Sequence, residues 1–321
     1  MKNQTLESLS VVVLSHNRVE ELYETFVSLA VSSKVHGFQL IIVDNASTDG
    51  SRELIERTIT QYPNVVAVMN QENLGVGGGR NSGWRLANRR FVVNLDDDTR
   101  IDAEGLANLF QLTQIHKGAG VIFPRMVDSS SQRQLSIPSE VIVSAGNFLG
   151  GCHIVNHEAF HQVGELDDDC MFGGEELEYS IRMRASGWDV VYDPSVTVFH
   201  NGLPRVGEIG LWRRVEWTRN FLRIHFKYFP FPTAVQFGFR FALSQLLSGS
   251  RNFGPNAIPS ILRSTFSGAR QGYIRRNIVP SEVIAFYRNP DLEPDMGNVP
   301  LTRKMRSKLK RAANIEVHQK K

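Results

Sequence analysis

Three carboxylates in succession, Asp96, Asp97 and Asp98, close the run FVVNLDDDTR at residues 91–100. Four of its first five residues are apolar, as in a buried strand, and within the run no basic residue precedes Arg100 to relieve the repulsion among the acids. The simplest compensation is a divalent cation. Mn²⁺ or Mg²⁺ prefers oxygen ligands, takes one or two carboxylates and completes its shell with water and phosphates. The triplet therefore reads as a metal tether that the phosphates of a ligand complete, against the plain alternative of a solvated acidic turn. A calcium loop fits less well, because DDDTRIDAEGLA lacks Gly at its sixth position and Glu at its twelfth.

Two more stretches carry possible ligand chemistry. In VDNASTDG, Asp49 or Thr48 could cap the following helix, but Asp44 ends a strand of Ile, Ile and Val and could accept hydrogen bonds from a base or ribose. NLGVGGGRNSG resembles a dinucleotide fingerprint, with Asp96 near the distance at which an acid binds ribose. Against that reading, Gln71–Leu74 separate the strand from the glycines, two strand–helix units come first, and a ribose contact needs one acid rather than three. A glycine-rich turn without a ligand is the third option.

The elements that must position these residues alternate. SVVVLSHNR, FQLIIVDNASTDG, NVVAVMNQEN and RFVVNLDDD read as strands; VEELYETFVSLAVSS (Leu22, Phe26 and Leu29 on one face), SRELIERTITQY and GGGRNSGWRLANRR read as helices. Such alternation predicts an α/β fold with a mostly parallel sheet flanked by helices. Ligands of such sheets bind at the carboxyl ends of the strands. The polar clusters fall there: Ser15, Asn17 and Arg18; Asp44; Asn73, Arg80 and Asn81; and Asp96–Asp98. From about residue 120 the pattern loosens, with GAGVIFPRM and DVVYDPSVTVFH as strands and GGEELEYSIRMRASG as a helix.

Length and charge set the frame. The 321 residues, 41% hydrophobic, suffice for one large domain or two smaller ones. The net charge of +3 hides an asymmetry: residues 1–202 carry 15 basic against 26 acidic residues, and residues 203–321 carry 21 against 7. The expected division is a catalytic domain over 1–202, its halves meeting near residue 100, and a helical, aromatic and basic region over 203–321 that ends in a loose basic tail. In AVQFGFRFALSQLLS the polar residues Gln236, Arg240, Ser244 and Ser248 recur at every fourth position, so this helix packs in a core or lies in a membrane interface. Only two cysteines, Cys152 and Cys170, occur, which fits a reducing cytoplasm. MKNQTLESLS has no apolar signal core, and no stretch of transmembrane length is expected.

Taken together, VVVLSHNR, IIVDNASTDGS, NLGVGGGRNSG, NLDDDT, FLGGCHIVNHEAFHQVGELDD, FGGEELEYSIRMRASGW and DPSVTVFHNG resemble, in order over residues 9–202, the family 2 glycosyltransferases. These are inverting enzymes of the GT-A fold, and the look is of bacterial rhamnosyltransferase-like members that build cell-surface polysaccharides. The resemblance implies that Asp44 faces the nucleotide base, with Arg80 and Asn81 on the nucleotide side. Asp96 and Asp98 match the Asp-x-Asp motif, with Asp98 as direct metal ligand, and His200 matches a position near metal and diphosphate. Gly150 and Gly151 would let backbone approach the donor sugar. Where the family has Glu-Asp, with Asp as catalytic base, this chain has Glu175-Glu176. Glu176 takes the base position, and Glu175 is the alternative. On a helix beginning near Glu175 the two side chains should point to different faces, and the helix's positive end should keep the base ionised.

The reading is thus a metal-assisted single displacement from a nucleoside-diphosphate sugar to a hydroxyl of a glycan or lipid-linked glycan. The alternatives are a glycosidase-like hydrolase with two carboxylates, a Rossmann-type enzyme, a sugar nucleotidyltransferase and a non-catalytic nucleotide-sugar sensor. The expected location is the cytoplasm, with the basic region against an anionic membrane or in a homo-oligomer, and no nucleic acid is expected as a partner.

Overall fold

The computed structural model describes residues 6–201 and 210–289. The described residues divide into two compact units, one of residues 6–201 with 279–289 and one of residues 210–278. The basic tail expected over the last 21 residues lies outside the described residues.

In the first unit, β1 (Leu9–Ser15), α1 (Val19–His36), β2 (Gln39–Asp44), α2 (Ser51–Gln61), β3 (Val65–Met69), α3 (Gly75–Trp84) and β4 (Phe91–Asp96) follow in the expected alternation. β1 pairs in parallel with β2 and β4, and β2 with β3. The later strands depart from parallel order. β8 (Cys152–Asn156) runs antiparallel to β4, and β6 (Ala119–Asp128) antiparallel to β8. Next comes β9 (Asp189–His200), parallel to β6 and antiparallel to the short β5 (Thr99–Arg100) and β7 (Val143–Ser144), which close this side of the sheet. Among the described residues the nine strands form one sheet, in the order β3-β2-β1-β4-β8-β6-β9-β5 with β7 on β9.

Residue alternation explains how both faces are covered. Val11, Val13, Leu40, Ile42 and Val93 join one apolar cluster with Leu22, Phe26 and Leu29 of α1 and Leu106 and Leu109 of α4 (Ala103–Ile115). Their neighbours Val12, Ile41, Val43 and Val92 join another with Trp84 of α3, Ala159 of α5 (His157–Val163), and Tyr179 and Met183 of α6 (Glu175–Ala185). The glycines of α3 serve this packing. A Cβ at Gly79 would lie 2.7 Å from a Leu14 methyl, and one at Gly83 2.5 Å from a Val12 methyl. The glycine run therefore presses a helix onto the sheet, and it follows β3 rather than β1, which removes the basis for a dinucleotide fingerprint.

The last helix of the described chain, α10 (Ser281–Arg288), belongs to this first unit. Its Tyr287 hydroxyl donates to the Gly146 carbonyl at 2.7 Å, and the Arg184 guanidinium lies 3.7 Å from the centre of the Phe286 ring.

The second unit contains α7 (Leu211–Tyr228), α8 (Phe231–Phe253) and α9 (Ile258–Ile274). Its interior is aromatic: Phe221 stacks on Phe241 at 3.7 Å and on the buried His225 at 4.0 Å. Among the described residues no helix is long and apolar enough to cross a membrane.

Candidate active site

Asp97 and Asp98 form the turn between β4 and β5. β5 pairs Thr99 with His200 at the end of β9, and the Asn201 amide donates to the Asp98 carbonyl at 2.7 Å. This pairing brings the His200 Nε2 to 3.1 Å from the Asp98 Oδ1. One ligand atom each from Asp96, Asp98 and His200 lie within 4.8 Å of one another. Asp98 is buried and Asp96 is 35% exposed, so the cluster opens on the Asp96 side. Two carboxylate oxygens and an imidazole nitrogen fit Mn²⁺, and the oxygens alone fit Mg²⁺.

The turn also has a cation that the local sequence does not show. Arg18, 79 residues before Asp97, lies at the start of α1 and donates to the Asp97 Oδ1 at 3.1 Å and to the Asp98 Oδ2. Asp97 points inward. Burial raises its carboxyl to about 7, opposed by the Ser15 hydroxyl and the Arg18 charge. Burial also raises Asp98, against His200 and Arg18. A Thr25 hydroxyl donates to the Asp97 carbonyl at 2.6 Å and fixes the turn to α1.

Arg80 of α3, fully enclosed, joins this cluster to α6. Its Nη2 donates to the Asp96 Oδ1 at 2.9 Å and to the Gly150 carbonyl at 3.0 Å. Its Nη1 lies 4.0 Å from the Glu175 Oε1 and 3.8 Å from the Glu176 Oε1. The two glutamates therefore do not diverge as helical spacing suggests. Both occupy the first turn of α6, where no earlier turn constrains them, and both fold back toward the one guanidinium. Burial and mutual repulsion hold the Glu175 carboxyl well above the usual range. Glu176 is also raised by burial, with Arg80 and a hydrogen bond from Glu175 pulling it back down. Desolvation thus outweighs the helix dipole, and it pushes both carboxyls toward the protonated form. The adjacent backbone has no room for a side chain: a Cβ on Gly150 would overlap the Glu176 carboxylate and crowd Arg80, and one on Gly151 would lie 2.8 Å from the Met126 methyl.

The remaining candidates brace the strand ends. The Asp44 carboxylate is fully buried and accepts from the Arg52 Nε at 3.2 Å, the Arg52 Nη2 at 3.1 Å and the Ser47 amide at 3.2 Å. Asn17, in the left-handed region at φ 53°, accepts from the Thr48 amide at 2.7 Å. Asn73 accepts from Asn45 at 3.0 Å and from the Gly75 amide at 2.9 Å. Asn81 spends its whole amide on Leu166, donating to the carbonyl at 2.9 Å and accepting from the N–H at 3.0 Å. As placed, Asp44 and Asn81 turn inward, and Arg52 is the exposed group on the Asp44 side, 32% accessible. On α6, Glu178 accepts from Arg182 at 2.8 Å, and Arg182 reaches the Val163 carbonyl at 2.7 Å and the Glu165 carbonyl at 2.6 Å, which fixes the helix to its neighbouring loop.

Sequence reading passes over two residues of this network. Arg52 could have been found as the cation in the first turn of the helix after Asp44. His153 gave only the faint signal of a polar residue in an apolar strand. It is buried on β8 with its Nδ1 3.1 Å from the Gly150 carbonyl, and burial with the nearby Arg80 charge holds it well below the usual imidazole range. The imidazole is neutral and shares with Arg80 the task of fixing the Gly150 carbonyl. Cys152 and Cys170 are buried and form no disulfide.

Comparison with known proteins gives the family and the fold. The family model described as glycosyl transferase family 2 matches residues 10–172. The low-salt glycan biosynthesis hexosyltransferase Agl10 of Haloferax volcanii is 21% identical over 220 residues, 61% of this chain and 68% of its own length. The poly-beta-1,6-N-acetyl-D-glucosamine synthase of Staphylococcus aureus is 24% identical over 230 residues, 67% of this chain but only 54% of its own length. Among solved structures, the mannosyltransferase PcManGT of Pyrobaculum calidifontis, in complex with GDP-Man and Mn²⁺, superimposes with a TM-score of 0.53 at 16% identity, covering 87% of this chain and 78% of its own. GalNAc-T7 with UDP, GalNAc and Mn²⁺ gives 0.59 at 15% identity, covering 80% of this chain and 56% of its own. These likenesses establish the GT-A fold.

Proposed function

The chain belongs to glycosyl transferase family 2, and from that premise we propose that it moves a sugar from a nucleoside-diphosphate donor to a hydroxyl of a glycan or lipid-linked glycan, with inversion, in cell-surface polysaccharide synthesis. The observation that carries this reading is the span of Arg80, which touches Asp96 at 2.9 Å and lies 3.8 Å from Glu176. One buried cation thereby ties the carboxylate cluster, which would face the leaving diphosphate, to a second carboxylate, which would face the attacking hydroxyl.

In this proposal residues 1–100 supply the donor side and about 101–202 the acceptor side. Asp96, Asp98 and His200 would hold a divalent cation, Mn²⁺ or Mg²⁺, which supplies neutralisation of the departing diphosphate. Ser15, Asn17, Arg18, Asn73 and the Asp44–Arg52 pair line or brace the nucleotide side, and Arg18 is free to turn from Asp98 to a phosphate. Gly150 and Gly151 leave backbone at the donor sugar. Glu176 accepts the proton of the acceptor hydroxyl as it attacks the anomeric carbon, and Glu175, protonated, donates to Glu176 and keeps it ionised. A single displacement inverts the anomeric centre. The names of the glycan-building relatives support a glycan product, and the ligands named for the structural neighbours support a nucleotide-sugar donor. The same reading puts the enzyme in the cytoplasm, at the inner face of the membrane where a lipid-linked acceptor resides.

The test is a panel of nucleotide sugars with Mn²⁺, Mg²⁺ or EDTA, read first as thermal shift and then as transfer. Metal-dependent donor binding with transfer to a hydroxyl acceptor is the expected outcome. Hydrolysis of a simple glycoside without metal would favour the hydrolase reading, and donor binding without transfer to any acceptor the sensor reading.

A further inference from the structure

The helical unit of residues 210–278 has eleven basic residues and one acid, Glu216. That acid is spent within α7, on Arg219 at 2.6 Å. In soluble units of this size such an excess is normally diluted by acids, and here it coincides with an exposed apolar surface.

α8 buries one face, with Ala234, Phe237, Phe241 and Gln245 against its neighbours. Its other face repeats large apolar residues every fourth position, Phe231, Val235, Phe239, Leu243 and Leu247, all exposed, with Phe239 at 68%. On α9 the exposed stripe contains Phe266 at 71% and Tyr273 at 55%. The two stripes meet, because the Phe231 and Tyr273 rings lie 6.3 Å apart in an edge contact. Arginines flank them: Arg240 and Arg251 on α8, and Arg263 and Arg270 on α9, are all exposed. The polar stripe read from the sequence, Gln236 to Ser248, runs beside the apolar one and not opposite a buried face.

We propose that the joined faces of α8 and α9 are a docking surface for an anionic phospholipid bilayer, with the phenylalanines entering the acyl boundary and the arginines meeting phosphate. Charge selects this occupant. A second copy of the same face would set arginine against arginine. Residues 301–321 would do likewise, since they carry eight basic residues and one acid. Nucleic acid would satisfy the arginines but not the aliphatic stripe. A basic helix face with bulky apolar residues at helical spacing, too polar to span, lies in the interface plane.

Co-sedimentation of the full chain with vesicles tests this without donor or acceptor, so it stands or falls apart from glycosyl transfer. Binding is expected to vesicles of phosphatidylcholine containing about 30 mol % phosphatidylglycerol and not to pure phosphatidylcholine. It is expected to be lost near about 0.5 M salt, where screening shortens to a few ångströms. The double variant Phe239→Asp, Phe266→Asp, with an unchanged circular dichroism spectrum, should bind at least roughly tenfold more weakly. If those exposed substitutions perturb folding, Arg240→Gln with Arg263→Gln should weaken binding and its salt dependence instead. No binding to anionic vesicles at low salt overturns the proposal. So does full binding by both variants, a concentration-dependent dimer that the phenylalanine variant dissolves, or preference for RNA over vesicles.

Discussion

At the turn after β4, Asp97 and Asp98 share the Arg18 guanidinium while Asp98 keeps His200 at 3.1 Å; at the head of α6, Glu175 and Glu176 lean together on Arg80 at 4.0 and 3.8 Å. Both are groups of acids that burial would neutralise. The first is offered a cation from outside its own segment, on a side chain 40% exposed. The second is offered one enclosed cation that also serves Asp96, and burial with mutual repulsion drives the Glu175 carboxyl toward its protonated form. The difference separates two chemistries: the turn suits a mobile positive ligand, and the helix head suits a proton.

Removing the turn's cation binding should have the largest effect. Asp98→Ala is expected to lower transfer by roughly a thousandfold or more, to the level of wild type in EDTA, with unchanged circular dichroism. Full activity of wild type in EDTA would end the distinction. Glu176→Gln keeps the shape and removes the proton acceptor, so kcat should fall by roughly a hundredfold or more while donor affinity is nearly unchanged. Glu175→Gln, which can still donate to Glu176, should cost only a few fold. A dead Glu175→Gln beside an active Glu176→Gln would exchange their roles.

Because burial raises Glu176, its ionised form is lost as pH falls through that raised pKa, and transfer should decline on the acid side at a higher pH than an ordinary carboxylate gives. Glu175→Ala removes the donated hydrogen bond and should move that limb to still higher pH. A limb that moves the other way would mean that repulsion from Glu175 dominates. The smallest effect concerns the exposed cation: Arg18→Met should tighten Mn²⁺ binding in the absence of donor by about two- to fivefold, measured calorimetrically, because the competing pair is partly solvated. Weaker Mn²⁺ binding in that variant would show Arg18 to be a support of the site and not its competitor.

Residue types and their order determined the strand–helix alternation from β1 to β4, the placement of the polar clusters at strand ends and the family likeness. Each of these rests on local periodicity, or on motifs that survive as strings. The sequence also marked Asp96, Asp98 and His200, although the last lies about a hundred residues away and only the β5–β9 pairing brings it across. Tertiary structure alone decided which partner each charge has. Arg18 reaches the acid turn, Arg52 takes Asp44, Asn81 turns to Leu166, and Arg80 spans two carboxylate groups, all through contacts between distant segments. It also decided the sense of the glutamate pair. Helical spacing argues from a full turn on either side, and the first turn lacks one, so a buried guanidinium, not the helix face, sets where Glu175 and Glu176 point.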